Sequence, residues 1–472
     1  MKSLAKNYFL NLSYQILVVV LPLVTAPYLA RVLGPDRIGE YSFMQSIVSY
    51  FALFSVLGTS LYGQKMIAGC HARGESKTQL FVELVLLRAL NVAVALGCYF
   101  AVIFPQMDNP TLCAVAAIEI LAVAFDISWF FQGIEQFQNI TLCSGIAKLA
   151  GAASIFIFVK SRADLSAYVV CLCGSALLGN AAQWLFVRPC LERGVLARPS
   201  IGQHYRPALS LFISQFAIQA YTVLDKTMIG LITRSDFENG YYDQTQNLIH
   251  ALVTLVTSIG TVMASRITIL WNSDETRRHD AVQELVLFSF RLVFALGLPI
   301  AAGTILISSR FVPIYYGDQY DPVIPLMRML AIIVPIIGCS NITGMQLFVP
   351  TGRERLLTRA VAVGAIVNVA LNALLISWKG ALGAAAASVL AELTVTLVQI
   401  FYARCDVDVK QIARLLLRYA LLTAVIVAVG MLVSSIAPAG LRGMLAVVAA
   451  CVATYLALLL GLRDPVLKLF KM

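Results

Sequence analysis

Charge is what this chain has least of. Asp, Glu, Lys and Arg make up 13% of its 472 residues, roughly half of the ~25% usual in a soluble globular domain. Too few ionised groups remain to solvate a water-exposed surface over most of the fold. Only four histidines occur, none at ligand spacing to another or to a cysteine, which argues against a His/Cys metal centre. The ten cysteines are scattered singly, mostly in apolar runs (Cys98, Cys113, Cys143, Cys171, Cys173). They supply no disulfide framework and read as small packing residues. Long polar segments are missing too. Every stretch between apolar runs is short, leaving no room for an extramembrane catalytic domain.

Oily length is what the chain does have. Hydrophobic residues reach 59% and the mean hydropathy is +0.82. Apolar runs recur along the whole chain, each long enough to cross a hydrocarbon core of ~30 Å as a helix. They lie at 8–32, 41–63, 80–104, 111–132, 140–159, 165–187, 207–232, 241–265, 283–309, 322–349, 356–377, 381–402, 415–433 and 441–461. The expectation is an all-α integral membrane protein of about fourteen transmembrane helices. The first run follows Lys2 and Lys6. It is too long for a signal h-region, contains Pro22 and Pro27 and lacks a small-residue cleavage site, so it is expected to stay.

The net charge of +10 would point to nucleic acid in a soluble domain, but here loop topology accounts for it. With the N-terminus inside, most Lys and Arg fall in the cytoplasmic loops, for example Arg188, Arg193, Arg198 and Arg206, then Arg277 and Arg278, then Arg353, Arg355 and Arg359. That bias predicts a multi-pass protein with both termini in the cytoplasm and no nucleic-acid partner.

The run "LFVELVLLRALNVAVALGCYFAVIF" carries Glu83 and Arg88 inside it, and "ELVLFSFR" later carries Glu284 and Arg291. Gly39, Tyr41, Gln45 and Glu83 recur in order as Gly240, Tyr242, Gln246 and Glu284. The order predicts two six-helix lobes, 1–200 and 201–403, related by a pseudo-two-fold axis along the membrane normal, with two additional helices in 404–472. Transporters are often built this way, with substrate held between the halves.

"TAPYLARVLGPDRIGEYSFMQSIVSYFALFSVLGTSLYGQKMIA" (25–68) resembles the N-terminal signature of Wzx-type polysaccharide repeat-unit flippases. "WFFQGIEQF", "YTVLDKTMIG", "NGYYDQTQN" and "SNITGMQLFVPTGR" are similar to the same family, within the multidrug/oligosaccharidyl-lipid/polysaccharide exporter superfamily. The resemblance implies no enzyme activity. It implies flipping of undecaprenyl-pyrophosphate-linked oligosaccharide from the inner to the outer leaflet of a bacterial cytoplasmic membrane, for O-antigen, capsule or exopolysaccharide. A polysaccharide polymerase and a chain-length regulator would be partners. An ion-coupled multidrug exporter of the same superfamily is the alternative, and it would need no cationic clamp.

Ionisable residues inside spans are functional candidates because each costs roughly 2.5–3.5 kcal/mol at the bilayer centre on insertion scales. Arg88, Lys148 and Arg291 lie at similar depth, and an arginine fork can hold two phosphate oxygens. Arg88 and Arg291 are therefore candidates to grip the diphosphate across a cavity, the competing reading being snorkelling or pairing with Glu83 and Glu284. In the seventh span Gln215, Gln219, Thr222 and Lys226 fall on one face beside Asp225, a stripe suited to lining a cavity or hydrogen-bonding another helix. Arg31 is a substrate contact or an interfacial anchor. Glu119, Asp126 and Glu392 are candidates for proton or sodium coupling, or else for ion pairs with neighbouring helices. No other cofactor is expected.

Overall fold

The computed structural model describes the backbone of residues 2–192, 198–258, 260–271 and 278–467. Arg193 and Arg277 of the loop reading lie outside them. All secondary structure among the described residues is helical. In chain order the α-helices are α1 (Lys2–Val32), α2 (Gly34–Val56), α3 (Thr59–Arg73), α4 (Thr78–Cys98), α5 (Pro110–Phe125), α6 (Ser128–Gly133), α7 (Phe137–Phe158), α8 (Leu165–Val187), α9 (Gly202–Thr233), α10 (Asp236–Thr257), α11 (Gly260–Trp271), α12 (Arg278–Tyr315), α13 (Val323–Leu330), α14 (Ile333–Asn341), α15 (Glu354–Ala403), α16 (Val409–Ile436) and α17 (Leu441–Gly461).

Eleven helical stretches among the described residues are long and apolar enough to cross a membrane, three fewer than the fourteen expected. The expected spans 356–377 and 381–402 are the two halves of α15, two helices that meet at a kink at Gly380, whose φ of 55° is non-helical. Runs 207–232 and 241–265 are helical as α9 and α10–α11, and parts of both lie outside the described residues. The protein is a multi-pass, all-helical membrane protein.

The chain divides into two compact units, Met1–Thr227 and Met228–Met472. In the first, α8 packs most extensively, against α5 and α7. Small residues allow it: a Cβ on Gly151 would sit 2.6 Å from the Ser175 side chain, so only glycine lets α7 and α8 approach so closely. One apolar cluster is built around Leu33, Val48, Tyr99, Ile120 and Val169. A second gathers Ile67, Phe81, Trp129, Phe130, Phe131 and Ala208.

Helix breaks position the polar groups. Leu57 and Gly58 take positive φ (43° and 73°) and end α2 before α3 begins. A Cβ on Gly58 would meet the Ala208 carbonyl oxygen at 2.2 Å, so glycine is required there by backbone contact with α9 as well as by φ. This contact, with Tyr205 donating to Asn91 at 3.1 Å, holds the start of α9 in the first unit. In the second unit α10 ends at Thr257 and α11 starts at Gly260.

The second unit has its own core, including Tyr242, Phe290, Val334, Phe348 and Ala384. Helix α16 packs on α12, and α17 on both, with Tyr455 donating to the Ala295 carbonyl at 2.5 Å. Asp408 caps α16 by accepting from the backbone N–H groups of Lys410 and Gln411 at 2.9 and 3.1 Å. The Gln411 bond leads the interactions holding this carboxyl below its ordinary pKa range.

At Gly380 the Glu238 carboxylate accepts from Ala381 N at 2.7 Å and so caps the second half of α15. A Cβ on Gly380 would lie 2.5 Å from that carboxylate. Gly380→Ala is expected to destabilise the protein by about 1–3 kcal/mol through the left-handed φ and the clash. A melting curve of the purified variant in detergent checks this, and an unchanged midpoint would refute the account.

Candidate functional site

Arg88 lies on α4 facing the interruptions in two other helices. Its side chain is 2% exposed. Nε and Nη2 donate to Thr59 Oγ1 at 3.1 and 2.9 Å, and Nη2 also donates to Ser60 Oγ at 2.7 Å. Nη1 donates to the Asp126 carbonyl oxygen and, at 3.4 Å, to Asp126 Oδ2. Thr59 and Ser60 open α3, and Asp126 follows the end of α5. The five N–H donors of the guanidinium are thus matched by five hydrogen bonds spanning two helix breaks. Asp126 is itself engaged: Oδ1 accepts from Ser128 N at 3.0 Å, and its carbonyl accepts from Trp129 Nε1 at 3.2 Å.

Neither sequence reading of Arg88 matches this geometry. No donor is left to fork a phosphate, and the carboxylate it meets is Asp126, not Glu83. A step of five residues along α4 turns Glu83 to a different face. There Glu83, 4% exposed, accepts from His204 Nε2 at 2.8 Å and Gln203 Nε2 at 3.2 Å through Oε2. Its Oε1 accepts from Ser200 N at 2.9 Å and Gln79 Nε2 at 2.8 Å. The other ring nitrogen of His204, Nδ1, is 3.0 Å from the Tyr62 hydroxyl. A carboxylate, an imidazole and a phenol therefore join α4, α9 and α3.

Glu119 on α5 accepts from Gln45 Nε2 of α2, so one of the recurring polar residues serves to satisfy a carboxylate within the membrane. Lys148 is half-buried on α7 and closes no ion pair among the described residues. Ser144, one turn away on the same helix, meets Tyr14 and Gln183. Asp225 is 4% exposed, and both it and Lys226 are engaged with neighbours. The adjacent Thr227 donates to Ser46 Oγ at 2.9 Å and lies 3.2 Å from the Tyr50 hydroxyl, which ties the end of α9 to α2. Side chains of Gln215, Gln219 and Thr222 lie outside the described residues. Arg31 is partly exposed and donates back to Pro27 O at 3.1 Å, a local contact within α1. Glu392 is half-buried on α15 and engaged with neighbours.

The second unit places Arg291 quite differently from Arg88. It lines a cavity of about 460 Å³ with Glu284, Leu287 and Phe288 of α12 and Gln411, Arg414, Leu415 and Arg418 of α16. Its Nε is buried without a hydrogen-bond partner, and among the described residues it closes no ion pair. Glu284, exposed, does not bond it either. Arg418 donates to Asp464 Oδ2 at 2.6 Å, and Tyr419 donates to Asp464 Oδ1 at 2.8 Å. The structure thus brings Arg291 together with Arg414 and Arg418, both missed in the sequence. Their one signal was an i, i+4 arginine pair at a helix start. His204 offered less: a lone histidine after a loop, with its carboxylate partner far upstream.

Among the described residues no group of three or more His, Cys, Asp or Glu side chains could hold a metal ion. The chemistry available is binding: buried carboxylates that could accept a cation or proton in the first unit, and an arginine-lined cavity suited to an anion in the second.

Comparison with known proteins adds the following. The family described as "Polysaccharide biosynthesis protein" matches residues 4–265. A protein of Shigella dysenteriae is 22% identical over 366 residues, 77% of this chain and 90% of its own. One of Escherichia coli (strain K12) is 22% identical over 397 residues, 82% and 93% of the two chains. Both carry the name "Putative O-antigen transporter". Among solved structures, the lipid II flippase MurJ in an inward closed conformation matches with a TM-score of 0.76 at 13% identity, over 96% of this chain and 100% of its own. An inward-facing MATE-family multidrug resistance transporter of the MOP superfamily matches with a TM-score of 0.64 at 12% identity, over 84% and 94%. The fold is that of MOP-superfamily transporters.

Removing the Arg88 fork should expose its structural role. Arg88→Gln leaves Asp126 O and the Thr59 and Ser60 hydroxyls short of donors, at a cost of about 2–3 kcal/mol. The expected result is a lower melting midpoint and less folded protein in the membrane. Full stability of this variant would show the five bonds to be dispensable.

Proposed function

Because the chain belongs to the polysaccharide biosynthesis protein family, we propose that it flips an undecaprenyl-pyrophosphate-linked oligosaccharide repeat unit from the inner to the outer leaflet of the cytoplasmic membrane. The observation that carries this reading is the alignment with two relatives named as O-antigen transporters over more than three quarters of each chain. The fold shared with a lipid-linked substrate's flippase supports it. Its product would serve O-antigen, capsule or exopolysaccharide assembly, with a polymerase and a chain-length regulator acting downstream. The protein works by alternating access and makes or breaks no covalent bond.

The physical task fits the polar groups just described. A diphosphate and sugars must cross hydrocarbon that solvates neither. Lys148 and Arg291, which close no ion pairs among the described residues, are the cations available to the diphosphate, with the α9 residues Gln215, Gln219, Asp225 and Lys226 contributing polar contacts and Arg31 at the membrane edge. Arg88 acts instead through the architecture, by holding two helix interruptions in place. Glu119, bonded by Gln45, is the carboxylate for proton or sodium coupling, with Glu392 second and Asp126 committed to Arg88.

Two measurements test this. In a strain without a second flippase, deleting the gene should trap lipid-linked repeat units at the inner leaflet and abolish the surface polysaccharide; unchanged polysaccharide would sink the proposal. The orientation has its own check. With native cysteines replaced, an impermeant thiol reagent added outside should label Asp318→Cys and leave Arg188→Cys unlabelled. The reverse pattern would overturn the cytoplasmic placement of both termini.

A further inference from the structure

The recurring sequence pattern places α9 at the head of the second lobe, yet residues up to Thr227 belong to the first compact unit. What holds them there differs between the two ends of the helix. At the start, Glu83 of α4 accepts from Ser200 N, Gln203 Nε2 and His204 Nε2 at 2.9, 3.2 and 2.8 Å. Glu83 and His204 are both buried. One turn on, Ala208 O lies so close to Gly58 that a Cβ there would stand 2.2 Å away. Hydrogen bonds to a carboxylate are roughly twice as strong as neutral ones. Releasing these would leave a buried charge short of donors inside a membrane. The start of α9 is fixed.

Toward the other end the fastening is slight. Thr227 donates to Ser46 Oγ at 2.9 Å and lies 3.2 Å from the Tyr50 hydroxyl, both on α2. Between the two ends Phe54, itself 48% exposed, meets Phe212 and Phe216 with ring centroids 5.5 Å apart in each case. Neutral hydroxyl bonds each contribute little net stability. A serine that loses its partner can turn back to a carbonyl of its own helix, as Ser49 and Ser55 of α2 already do, donating to Gln45 O and Phe51 O at 2.8 Å. The helical hydrogen bonds of α9 are internal to it, so its end can part from α2 without unwinding. Thr227 is also the last residue of the first unit, so the weak fastening stands where the chain passes from one unit to the other.

We propose that α9 is a hinged arm of the first unit, fixed at Glu83 and Gly58 and held or released at a hydroxyl clasp of Ser46, Tyr50 and Thr227. With the clasp closed, the first unit extends to Thr227. With it open, the fixed part ends near Ala208, and the rest of α9 joins the connection between the units. The two positions differ by a pair of neutral hydrogen bonds and an apolar contact that can slide, so both lie within thermal reach of each other. The assignment stands on these contacts and does not rest on the transport reading.

The test is a pair of spin-label distance measurements on the full-length protein in lipid nanodiscs, with native cysteines replaced. Labels on Arg37→Cys of α2 and Leu231→Cys of α9 report on the clasp end, and labels on His71→Cys and Arg206→Cys report on the start. Combined Ser46→Ala and Tyr50→Phe should raise the population of a longer clasp-end distance by about tenfold, as expected when two hydroxyl bonds are lost. The distance at the start should stay as it is. A disulfide between Ser46→Cys and Thr227→Cys, whose native hydroxyls are 2.9 Å apart, should form under mild oxidation and abolish the longer distance until reductant is added. Melting curves establish that each variant is folded; if the double variant is not, Tyr50→Phe alone takes its place, with a shift of about threefold. Identical distances in native and variant protein, or a cysteine pair that does not close, overturn the clasp. Equal broadening at both ends overturns the hinge.

Discussion

A helix that stops inside a membrane leaves backbone groups that no water can satisfy, and the first unit depends on how one side chain meets that demand. The guanidinium of Arg88 reaches the opening residues of α3 and the Asp126 carbonyl in the break before α6 at once, with one bond for each donor. Charge is nearly incidental to this role, since the Asp126 carboxylate contributes one long contact and the rest are to a carbonyl and hydroxyls. The break between α2 and α3 contains Gly58, whose missing side chain lets α9 approach through Ala208. Backbone contact, helix break and buried arginine form one linked device.

The same need is met by other means elsewhere. Glu83 accepts four hydrogen bonds, three from the segment leading into and opening α9, so a costly carboxylate becomes a fastening point between sequence-distant helices. In the second unit Glu238 caps the resumed helix after Gly380. Each is a carboxylate or cation consumed by structure. What remains uncommitted then stands out: Lys148 in the first unit and Arg291 in the second. A polar residue in a membrane span signals function only after its architectural partners have been counted.

The echo of "ELVLLR" in "ELVLFSFR" shows how far pattern carries. It pairs two chain segments whose helices α2 and α10 end at positions with the same offset, Val56 and Thr257. Yet Arg88 is enclosed by Thr59, Ser60 and Asp126, whereas Arg291 opens onto a cavity with α16. Equivalent positions acquired different surroundings because α16 and α17 accompany only the second segment. One turn apart, Arg414 and Arg418 look like flanking charges in the sequence and become lining residues only when α16 packs on α12.

By itself the sequence determined the solvent and the class. Low charge, long apolar runs and short polar connections leave no alternative to a bundle of membrane helices, since hydrocarbon admits few other backbones. The motifs in 25–68 and beyond were legible as a family likeness because they are local strings. The positions of expensive residues were legible too, for composition alone makes Arg88, Glu83, Glu119 and Arg291 conspicuous. Their partners were not. A hydrogen bond from His204 to Glu83, from Gln45 to Glu119 or from Arg88 to Asp126 closes over dozens of residues, and nothing in the helical period says which face meets which. Tertiary packing decided that, as where the close approach of α9 at Gly58 goes with the His204–Glu83 contact.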